Sequence, residues 1–397
     1  MTSSVSAEQK DTAKGSGLAD EMRGLAERAY DHFRNRTTDQ APSTMQLPVE
    51  AYLDEARFRR EFDRIFRQLP LGLALSIELP EPGSYLAREV CKTPVLLTRD
   101  QEGKVRAFLN VCRHRGATIC PEGAGKKSRF VCPYHSWVYA ADGELTRVNA
   151  AETFGEVDQR ALGLTELTCA EKSGVIWVAL KPGATFDIDD WLGDFAGKLD
   201  SLDLGNWYVY EQRTLASPGW KATFDGYLEV YHHDTVHGGT VGKHTIGNLL
   251  VHDTYGPHQR LTFGRKNLAE LDKVESDDWD GSQYIRIIHS VFPNLSISGI
   301  IGGHCLVSQV FPGESPDSTV TRQTLLCATR PETEEEESAA RQFSAMTLQA
   351  VRDEDYVIAG SIQKALRAGA NTHFFIGRNE PGLQHFHQWI ARFMQDA

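Results

Sequence analysis

Two short pairs of metal-ligand residues, Cys112-x-His114 and Cys132-x-x-His135, constrain this sequence more than any other feature. Each pair follows a short run of strand-forming residues, at 105–111 and 130–131. Each pair is therefore predicted to lie in a tight loop at the end of a strand. Because each loop offers one thiolate and one imidazole, the two cysteines can hold one metal and the two histidines another. This arrangement is typical of a two-iron, two-sulfide centre with mixed ligation.

A tetrahedral zinc site is the alternative, because zinc accepts both ligand types. Zinc modules usually take both cysteines from one knuckle, whereas here each loop supplies one cysteine and one histidine. The iron–sulfur interpretation is therefore favoured. Cys120 lies between the pairs, and we predict that it is a small buried side chain rather than a third ligand. The same prediction applies to the remaining cysteines, Cys91, Cys169, Cys305 and Cys327.

The composition is that of a globular chain with two or three domains. Of its 397 residues, 24% are charged and 41% hydrophobic, as in ordinary globular proteins. A formal net charge of −12 argues against nucleic acid as the main partner, since nucleic-acid binding depends on clustered Lys and Arg. The sequence shows neither an apolar run of membrane-spanning length nor a secretory h-region. We therefore expect a cytoplasmic protein without a membrane partner.

Periodicity and turn residues predict three segments of α+β structure. Residues 1–45 form an N-terminal tail and helix, and residues 46–163 form a small β domain with the two loops. Residues 164–397 form a larger domain, in which residues 249–263 and 282–311 are predicted strands of an antiparallel sheet. Asp142-Gly143 indicates a hairpin after the second loop.

Residues 220–237, WKATFDGYLEVYHHDTVH, are predicted to form an amphipathic helix. Its polar side is unusual, because four potential ligands crowd its second half: Glu229, His232, His233 and His237. Residues four apart share a helix face, so spacing alone selects His233 and His237 as a ligand pair. A solvated helix end with histidines stabilised by the helix dipole is the alternative.

A second predicted helix carries a carboxylate within an apolar stripe. The stripe steps by three or four residues through Leu348, Val351, Asp355, Ile358, Ile362 and Leu366. Asp355 is expected to face the interior, whereas Asp353 and Glu354 are expected to point elsewhere. A buried carboxylate is costly unless it is paired or bound to a metal. The stripe therefore predicts either a buried ion pair or a metal ligand.

Three motifs in this chain resemble one family. CRHRGA followed by CPYHSW resembles the Rieske motif of ring-hydroxylating oxygenase large (alpha) subunits, and WKATFDGYLEVYHHDTVH resembles their catalytic iron helix. EDYVIAGSIQ resembles the segment whose Asp completes that iron site. The resemblance covers about residues 46–397. The chain has Ser136 where the family usually has Gly, which should alter loop packing rather than ligation, and Glu229 where Asp is more common. Ala117 and Tyr134 occupy the positions of the additional cysteines in respiratory Rieske proteins.

The resemblance implies roles for these residues. The [2Fe-2S] ligands would be Cys112, His114, Cys132 and His135, and the Fe(II) ligands would be His232, His237 and Asp355. It thus selects His232 over His233, and a spacing of five residues requires a local bulge or an unravelled last turn. Within one chain the two centres are expected to be too far apart for rapid electron transfer. The resemblance implies a head-to-tail trimer in which Glu229 links His135 of one subunit to the iron site of the next.

The implied fold is a small all-β Rieske domain followed by a catalytic helix-grip domain, in which an antiparallel sheet surrounds a long C-terminal helix. The implied function is that of a terminal oxygenase component that uses O2 to hydroxylate, dihydroxylate or oxidatively demethylate a small organic substrate. Because nothing resembles a flavin or nicotinamide site, a separate NAD(P)H-dependent reductase, with or without a ferredoxin, would supply electrons. A homotrimer, or a trimer with a small subunit, is expected. The alternative is a Rieske electron carrier without oxygenase activity.

The substrate is not determined by these motifs. The predicted strands supply mostly aliphatic side chains together with Phe292, which favours an apolar or aromatic substrate and a role in aromatic hydrocarbon catabolism. Arg260, Arg265 and Arg286 could instead bind a carboxylate. The pattern does not place these arginines on a particular face.

Overall fold

A computed structural model describes residues 7–275, 279–301 and 303–395 of the chain. Contacts divide the chain into two compact units. One unit, which we call the Rieske unit after the motif it contains, holds Arg59–Ala196 and Asp203–Asn206. The other, which we call the catalytic unit after the iron helix that its segment 220–237 resembles, holds the residues up to Phe58, Gly197–Leu202 and the residues from Trp207. Residues 164–196 belong to the same unit as the two loops with the cysteine–histidine pairs. The division into three functional segments at residues 45 and 163 stays a prediction. Among the described residues, no helix combines the length and the apolar character needed to cross a membrane.

The chain starts with helices and one short strand. They are α1 (Ala7–Asn35), β1 (Met45–Pro48), α2 (Glu50–Leu53) and α3 (Glu55–Glu61), followed by a π-helical segment at Phe62–Phe66.

The Rieske unit consists mainly of short antiparallel strands, as predicted. They are β2 (Leu71–Leu75), β3 (Ser84–Val90), β4 (Thr93–Arg99), β5 (Val105–Leu109), β6 (Gly123–Lys126), β7 (Arg129–Val131), β8 (Val138–Ala140), β9 (Leu145–Arg147), β10 (Glu166–Leu167), β11 (Cys169–Lys172) and β12 (Val175–Val178). They form three sheets, ordered β10-β5-β4-β3-β6, β11-β12-β2 and β7-β8-β9. Residues 164–196 join this unit because β12 pairs with β2 and β10 pairs with β5.

Short helices complete the middle of the chain, namely α4 (Ala151–Phe154), α5 (Ile188–Leu192) and α6 (Phe195–Asp200). The predicted hairpin at Asp142-Gly143 joins β8 to β9, where Gly143 has a φ of +87° that favours glycine. The two cluster loops follow β5 and β7, so each metal-ligand pair does follow a strand.

The catalytic unit is built on one seven-stranded antiparallel sheet, ordered β13-β19-β18-β17-β16-β15-β14. Its strands are β13 (Tyr208–Ser217), β14 (Thr245–Tyr255), β15 (His258–Arg265), β16 (Ile285–Val291), β17 (Leu295–Ile301), β18 (His304–Pro312) and β19 (Thr319–Cys327), and β20 (His373–Ile376) pairs with β1. Its helices are α7 (Trp220–Asp225), α8 (His233–Val236), α9 (Gly281–Tyr284), α10 (Glu334–Leu348), α11 (Tyr356–Leu366) and α12 (Pro381–Met394).

Helices pack against this sheet on two sides. Helix α1 buries Leu25 and Ala29 against Leu249, Val251 and Ile285. Side chains alternate along a strand, so the even-numbered residues of β16 face away from α1. The long C-terminal helix predicted from the sequence consists of α10, a π-helical segment at Gln349–Asp355, and α11.

Candidate metal centres

The two loops with the cysteine–histidine pairs close in the same way. The amide of Gly116 donates to the carbonyl of Cys112 at 2.9 Å, and the amide of Ser136 donates to the carbonyl of Cys132 at 3.0 Å. Both turns end in the left-handed region, with φ of +78° at Gly116 and +59° at Ser136. Ser136 thus adopts the backbone conformation that glycine adopts in the other loop, at a cost in steric strain.

The side chains of both pairs fit a [2Fe-2S] cluster. Cys112 and Cys132 are only 3% and 2% exposed, and the rings of His114 and His135 have centroids 4.6 Å apart. The buried Nδ1 of His135 has no hydrogen-bond partner among the described residues. A buried polar atom without a partner usually marks a site for water or an ion. Two thiolates and two imidazoles are the donors of a mixed-ligand cluster.

Tyr139 lies directly beside one of the cysteines. Its hydroxyl accepts a hydrogen bond from the Arg113 amide at 3.0 Å and lies 3.4 Å from Sγ of Cys112. Burial and the neighbouring Cys112 raise the pKa of this hydroxyl, so it keeps its proton at neutral pH. Because the amide occupies an oxygen lone pair, the hydroxyl proton is free to point at the sulfur.

The other five cysteines differ in burial. Cys120 is buried in the core of the Rieske unit, as predicted, and belongs to the same hydrophobic cluster as Ile119 and Phe130. Cys91, Cys305 and Cys327 are also buried, whereas Cys169 is only partly buried. The prediction was therefore wrong for Cys169, which lies on β11, an edge strand of its three-stranded sheet.

The segment with the four clustered ligand candidates forms two short helices, not the single amphipathic helix predicted. Helix α7 ends at Asp225 and α8 begins at His233, so residues 226–232 are not helical. Helix α8 ends with the amide of His237 donating to the carbonyl of His233 at 3.2 Å. His232 and His237 do not lie on one continuous helix, so the angle between their side chains is not set by helical spacing. The chain contains a break between two helices where a bulge in one helix was expected.

Three side chains from distant parts of the chain converge in this region. Nε2 of His232 lies 3.1 Å from Nε2 of His237, and Oδ1 of Asp355 lies 2.9 Å from Nε2 of His237 and 3.5 Å from Nε2 of His232. One ligand atom from each residue lies within 4.8 Å of the others. Two imidazole nitrogens and one carboxylate oxygen on one side of a point fit a ferrous ion with open positions.

His233, which the four-residue spacing alone selects, is not part of this group. Its Nδ1 lies 3.3 Å from the hydroxyl of Thr245. Burial, and then the nearby His232 and His237, lower its pKa to about 3, so its imidazole is neutral. The hydrogen bond and the neutral state are those of a buried structural histidine.

Each of the two converging histidines has a carboxylate at its other ring nitrogen. Nδ1 of His232 hydrogen-bonds Glu229, and Nδ1 of His237 lies 2.6 Å from Oε2 of Glu354. This pattern, with Nε2 towards a metal and Nδ1–H donating to an acid, fixes the tautomer and the orientation of a ligand histidine. The expectation that Glu354 points elsewhere was wrong. The π-helical turn at Gln349–Asp355 changes the angular step of the helix, so that two consecutive acids reach one site.

The electrostatics of the site favour a positive charge. Burial lowers the pKa of His232, but hydrogen bonds to Asp355 and Glu229 outweigh burial and raise it to about 10. The pKa of His237 is likewise raised by Asp355 and Glu354 in spite of burial. The pKa of Asp355 is lowered, because its bonds to the two histidines outweigh the effect of burial. A divalent cation between these groups would supply the charge that the acids stabilise.

The π-helical turn also changes which side chains of the apolar stripe are buried. Val351 and Leu366 are buried as predicted, but Ile358 and Ile362 are exposed. Both exposed isoleucines line a surface cavity of about 280 Å³ that also reaches His232 and Asp355. The prediction of a buried stripe was therefore correct for Val351 and Leu366 and wrong for Ile358 and Ile362.

A second cavity, of about 330 Å³, is lined by all three converging residues, and we call it the site cavity. Its volume lies within the usual range for small-molecule sites. Its apolar walls come from the 3-10 turn at Val241–Lys243, from strands, from α10 and from the π-helical segment: Val241, Phe263, Ile288, Leu306, Phe343, Met346, Ala350 and Val351. Phe292, predicted as an aromatic contributor, instead stacks on Phe393 with centroids 5.3 Å apart and lies outside this lining.

The three arginines considered from the sequence lie on different faces of the sheet. Arg265 and Arg286 line the site cavity. Arg260 is five residues from Arg265 in β15, so it points to the opposite face, where it pairs with Asp253 at 2.8 Å and Glu21 at 2.5 Å. The odd spacing within one strand was a usable signal for Arg260, whereas the face of Arg286 depends on strand register.

A mixed-ligand cluster unit combined with a two-histidine, one-carboxylate site is the defining pair of centres in Rieske non-haem iron oxygenases. Residues 71–163 match the Rieske [2Fe-2S] domain family, and residues 204–396 match the ring hydroxylating alpha subunit (catalytic domain) family. Over 353 residues the chain is 31% identical to the glycine betaine monooxygenase oxygenase subunit of Pseudomonas aeruginosa, covering 78% of this chain and 79% of that protein. The chain belongs to the Rieske oxygenase alpha-subunit family, whose members are oxidoreductases that use O2, a [2Fe-2S] cluster and a mononuclear iron.

Two further comparisons agree. The carnitine monooxygenase oxygenase subunit of Escherichia coli is 26% identical over 368 residues, covering 88% of this chain and 94% of that protein. A quaternary ammonium Rieske monooxygenase, CntA, solved with L-carnitine, has a TM-score of 0.76 at 21% identity and covers 89% of this chain and 97% of that one. The predicted family, fold class, cofactors and enzyme class are confirmed. A role in aromatic hydrocarbon catabolism is not supported, because these relatives act on quaternary ammonium compounds.

Proposed function

We propose that this chain oxygenates a small organic substrate in the site cavity, with electrons delivered by a separate reductase, with or without a ferredoxin. The observation that carries this proposal is the convergence of His232, His237 and Asp355 on the wall of a cavity of about 330 Å³. An electron carrier has no need of such a cavity. Both named relatives are monooxygenases, which favours monooxygenation over dihydroxylation here.

The proposed ligands divide between the two units. Cys112 and Cys132 would hold one iron of the cluster, and His114 and His135 the other. The mononuclear iron would be held by the three residues that converge at the site cavity. When bound, the cluster supplies electrons one at a time and the mononuclear iron supplies a site for O2.

The chain itself orients the ligands and controls the access of water. Glu229 and Glu354 hold the Nδ1 protons of the two histidines, so that each Nε2 lone pair faces the metal position. The apolar walls of the site cavity exclude water from the reacting carbon, which limits wasteful side reactions. The buried hydroxyls of Tyr227 and Tyr356 bond to each other at 3.0 Å, and Tyr356 donates to Thr321 at 2.8 Å. These bonds fix the helix that carries Asp355.

Each unit presents an exposed apolar surface beside its centre, which supports the proposal of a homotrimer. On the Rieske unit, Tyr134 is 56% exposed, and the centroids of its ring and of the His135 ring lie 3.7 Å apart. On the catalytic unit, Phe375 is 71% exposed and lines the surface cavity that includes Glu229. Exposed apolar patches of this kind mark interaction sites. A head-to-tail assembly would cover both surfaces and bring His135 of one subunit to Glu229 of the next.

Glu229 has the bonding capacity for such a bridge. Its carboxylate accepts from the His232 ring and from the amides of Tyr231 and His232. A carboxylate has about four acceptor positions, so one remains for an imidazole N–H from a neighbouring subunit.

Substitution of Asp355 tests the oxygenase proposal. Asp355→Ala should lower the iron content from three to two per chain, keep the visible spectrum of the cluster and abolish O2-dependent product formation. The substrate panel contains betaines, aromatic acids and N-methyl compounds, and a reductase from an unrelated system supplies electrons. A variant with full turnover, or a wild-type protein with only two irons, would contradict the proposal.

Substitution of Glu229 tests the proposed bridge. In a single-turnover experiment, Glu229→Gln should slow re-oxidation of the reduced cluster while iron content and substrate affinity stay unchanged. Asp353→Asn is the matched control, because Asp353 is an exposed acid that bonds only Arg352 in the described structure. Equal re-oxidation rates in wild type and Glu229→Gln would exclude this role for Glu229.

A further inference from the structure

Strand register places two arginines on the site-cavity face of the sheet. Phe263 lies opposite Arg286 in the pairing of β15 with β16, and Arg265 follows Phe263 by two residues. Directly opposite residues and residues two apart share one face of a sheet. Ile288, which lies opposite Ser298 of β17, continues the same face. All five side chains line the site cavity.

Arg286 is a buried cation that has no acidic partner among the described residues. It is 6% exposed, and its Nη1 donates to the carbonyls of Ser282 and Ile285 at 3.0 and 2.6 Å. In the part of the chain that the structure describes, no carboxylate forms an ion pair with it. Burial, and then Arg265, lower the pKa of Arg286 to about 9, so the guanidinium remains charged at neutral pH. Burial removes water from the guanidinium, and no carboxylate among the described residues compensates for that loss. A buried charge in this state is energetically costly.

Arg260, a buried arginine of the neighbouring strand β15, has a different environment. Arg260 has a side chain only 7% exposed, and it pairs with both Asp253 and Glu21. The catalytic unit therefore neutralises a buried arginine on the α1 face of the sheet. On the site-cavity face, the described residues leave the charge of Arg286 for something else to neutralise.

We propose that Arg286, assisted by Arg265, binds the carboxylate of an organic acid substrate in the site cavity. The reaction in this inference rests on the proposed function, whereas the binding does not. A guanidinium fits a carboxylate through two parallel hydrogen bonds. The apolar walls contact the body of the substrate, so that a carbon distant from the carboxylate lies nearest to the three ligand residues. A cation that lacks a carboxylate is selected against, because it would face two like charges.

Calorimetric titration of the full-length, iron-loaded protein tests this inference. The probes are benzoate, glycine betaine and L-carnitine, together with benzamide and choline, which lack the carboxylate. We expect at least one carboxylate to bind, and its counterpart without a carboxylate to bind about ten- to a hundredfold more weakly. Arg286→Met should weaken binding of that carboxylate by a similar factor. Equal affinity for the counterpart, no binding by any of the three carboxylates, or unchanged affinity in Arg286→Met would overturn the inference.

Two further variants control for folding and for general loss of charge. Arg265→Gln changes a less buried residue of the same site, so it keeps the test decisive if Arg286→Met does not fold, and it should weaken binding in the same direction. Arg341→Met removes an exposed arginine that pairs with Glu334 on α10, and it should leave binding unchanged. An unchanged affinity in Arg265→Gln, when Arg286→Met is not folded, would also overturn the inference.

Turnover measured in parallel separates this inference from the proposed function. If carboxylate binding depends on Arg286 but no probe yields an O2-dependent product, the inference stands and the proposed function loses support. If the protein oxygenates a carboxylate probe equally well in wild type and Arg286→Met, the proposed function stands and the inference fails.

Discussion

Nδ1 of His237 lies 2.6 Å from a carboxylate oxygen of Glu354, the residue directly before Asp355 in the chain. The hydroxyl of Thr240 donates to the same oxygen at 2.5 Å. Two consecutive acids thus contact opposite nitrogens of one imidazole, which a regular α-helix does not allow because neighbouring side chains diverge by about 100°. The π-helical turn at Gln349–Asp355 supplies the different geometry.

Glu354→Gln should weaken retention of the mononuclear iron about ten- to a hundredfold, because the amide removes the negative charge that orients and polarises His237. Iron release to a chelator, followed over time, measures this effect, and the spectrum of the cluster should not change. Asp353→Asn serves as the control, since Asp353 is exposed and pairs with Arg352. Equal release rates in Glu354→Gln and wild type would show that Glu354 is not a positioning residue.

Tyr139→Phe should lower the midpoint potential of the cluster by about 50 mV. The hydroxyl is placed to donate to Cys112, and such a bond stabilises the more negative, reduced cluster by about 1 kcal/mol. Spectroelectrochemical titration of the purified protein gives the potential. Tyr134→Phe is a suitable control, because Tyr134 is exposed and its hydroxyl accepts from Arg115 at 3.2 Å. A potential within a few millivolts of wild type would contradict the assigned bond.

Ser136→Gly should stabilise the Rieske unit by about 1 kcal/mol, since glycine adopts a φ of +59° without the steric cost that serine carries. The measurement is thermal loss of the visible absorption of the cluster, which should shift to higher temperature. Gly116→Ala in the other loop should shift it in the opposite direction, because Gly116 has a φ of +78°. A lower midpoint in Ser136→Gly would show that the serine side chain contributes more than its backbone strain costs.

Asp253→Asn should destabilise the protein at neutral pH by about 2 kcal/mol, because the carboxylate bonds Arg28 of α1 and the buried Arg260. Burial raises the pKa of Asp253, but the two arginines outweigh it and lower the pKa overall. The stabilisation is therefore fully present above the unfolded-state pKa of about 3.9 and is lost as the pH falls through the folded-state value. Urea unfolding between pH 7 and pH 3 should show wild type and variant converging in acid. A difference that stays constant over this range would contradict the ionic origin.

The candidate Rieske ligands could be proposed from the sequence because their geometry is local. Cys112 and His114 lie in one tight turn, and Cys132 and His135 lie in another, so spacing and the preceding strand already determine how each pair is presented. The antiparallel sheet and the helix that carries Asp355 were also predictable, because strand and helix periodicity record which faces are buried.

The mononuclear site was only partly predictable. Spacing on a regular helix favoured His233, and only the resemblance selected His232, because the break at residues 226–232 depends on packing rather than on a local pattern. Glu354 was missed for the same reason, since a π-helical turn leaves no clear periodicity in the sequence.

The amino-acid sequence by itself supplied the candidate ligands of the two metal centres and the class of chemistry, because those depend on donor types and short motifs. Only the tertiary structure decided that Arg265 and Arg286 face the site cavity and that Arg260 is neutralised on the opposite face of the sheet. The sequence of a strand shows which of its side chains share a face. Which face becomes the binding site depends on the register with the neighbouring strands and on the helix that covers the other face.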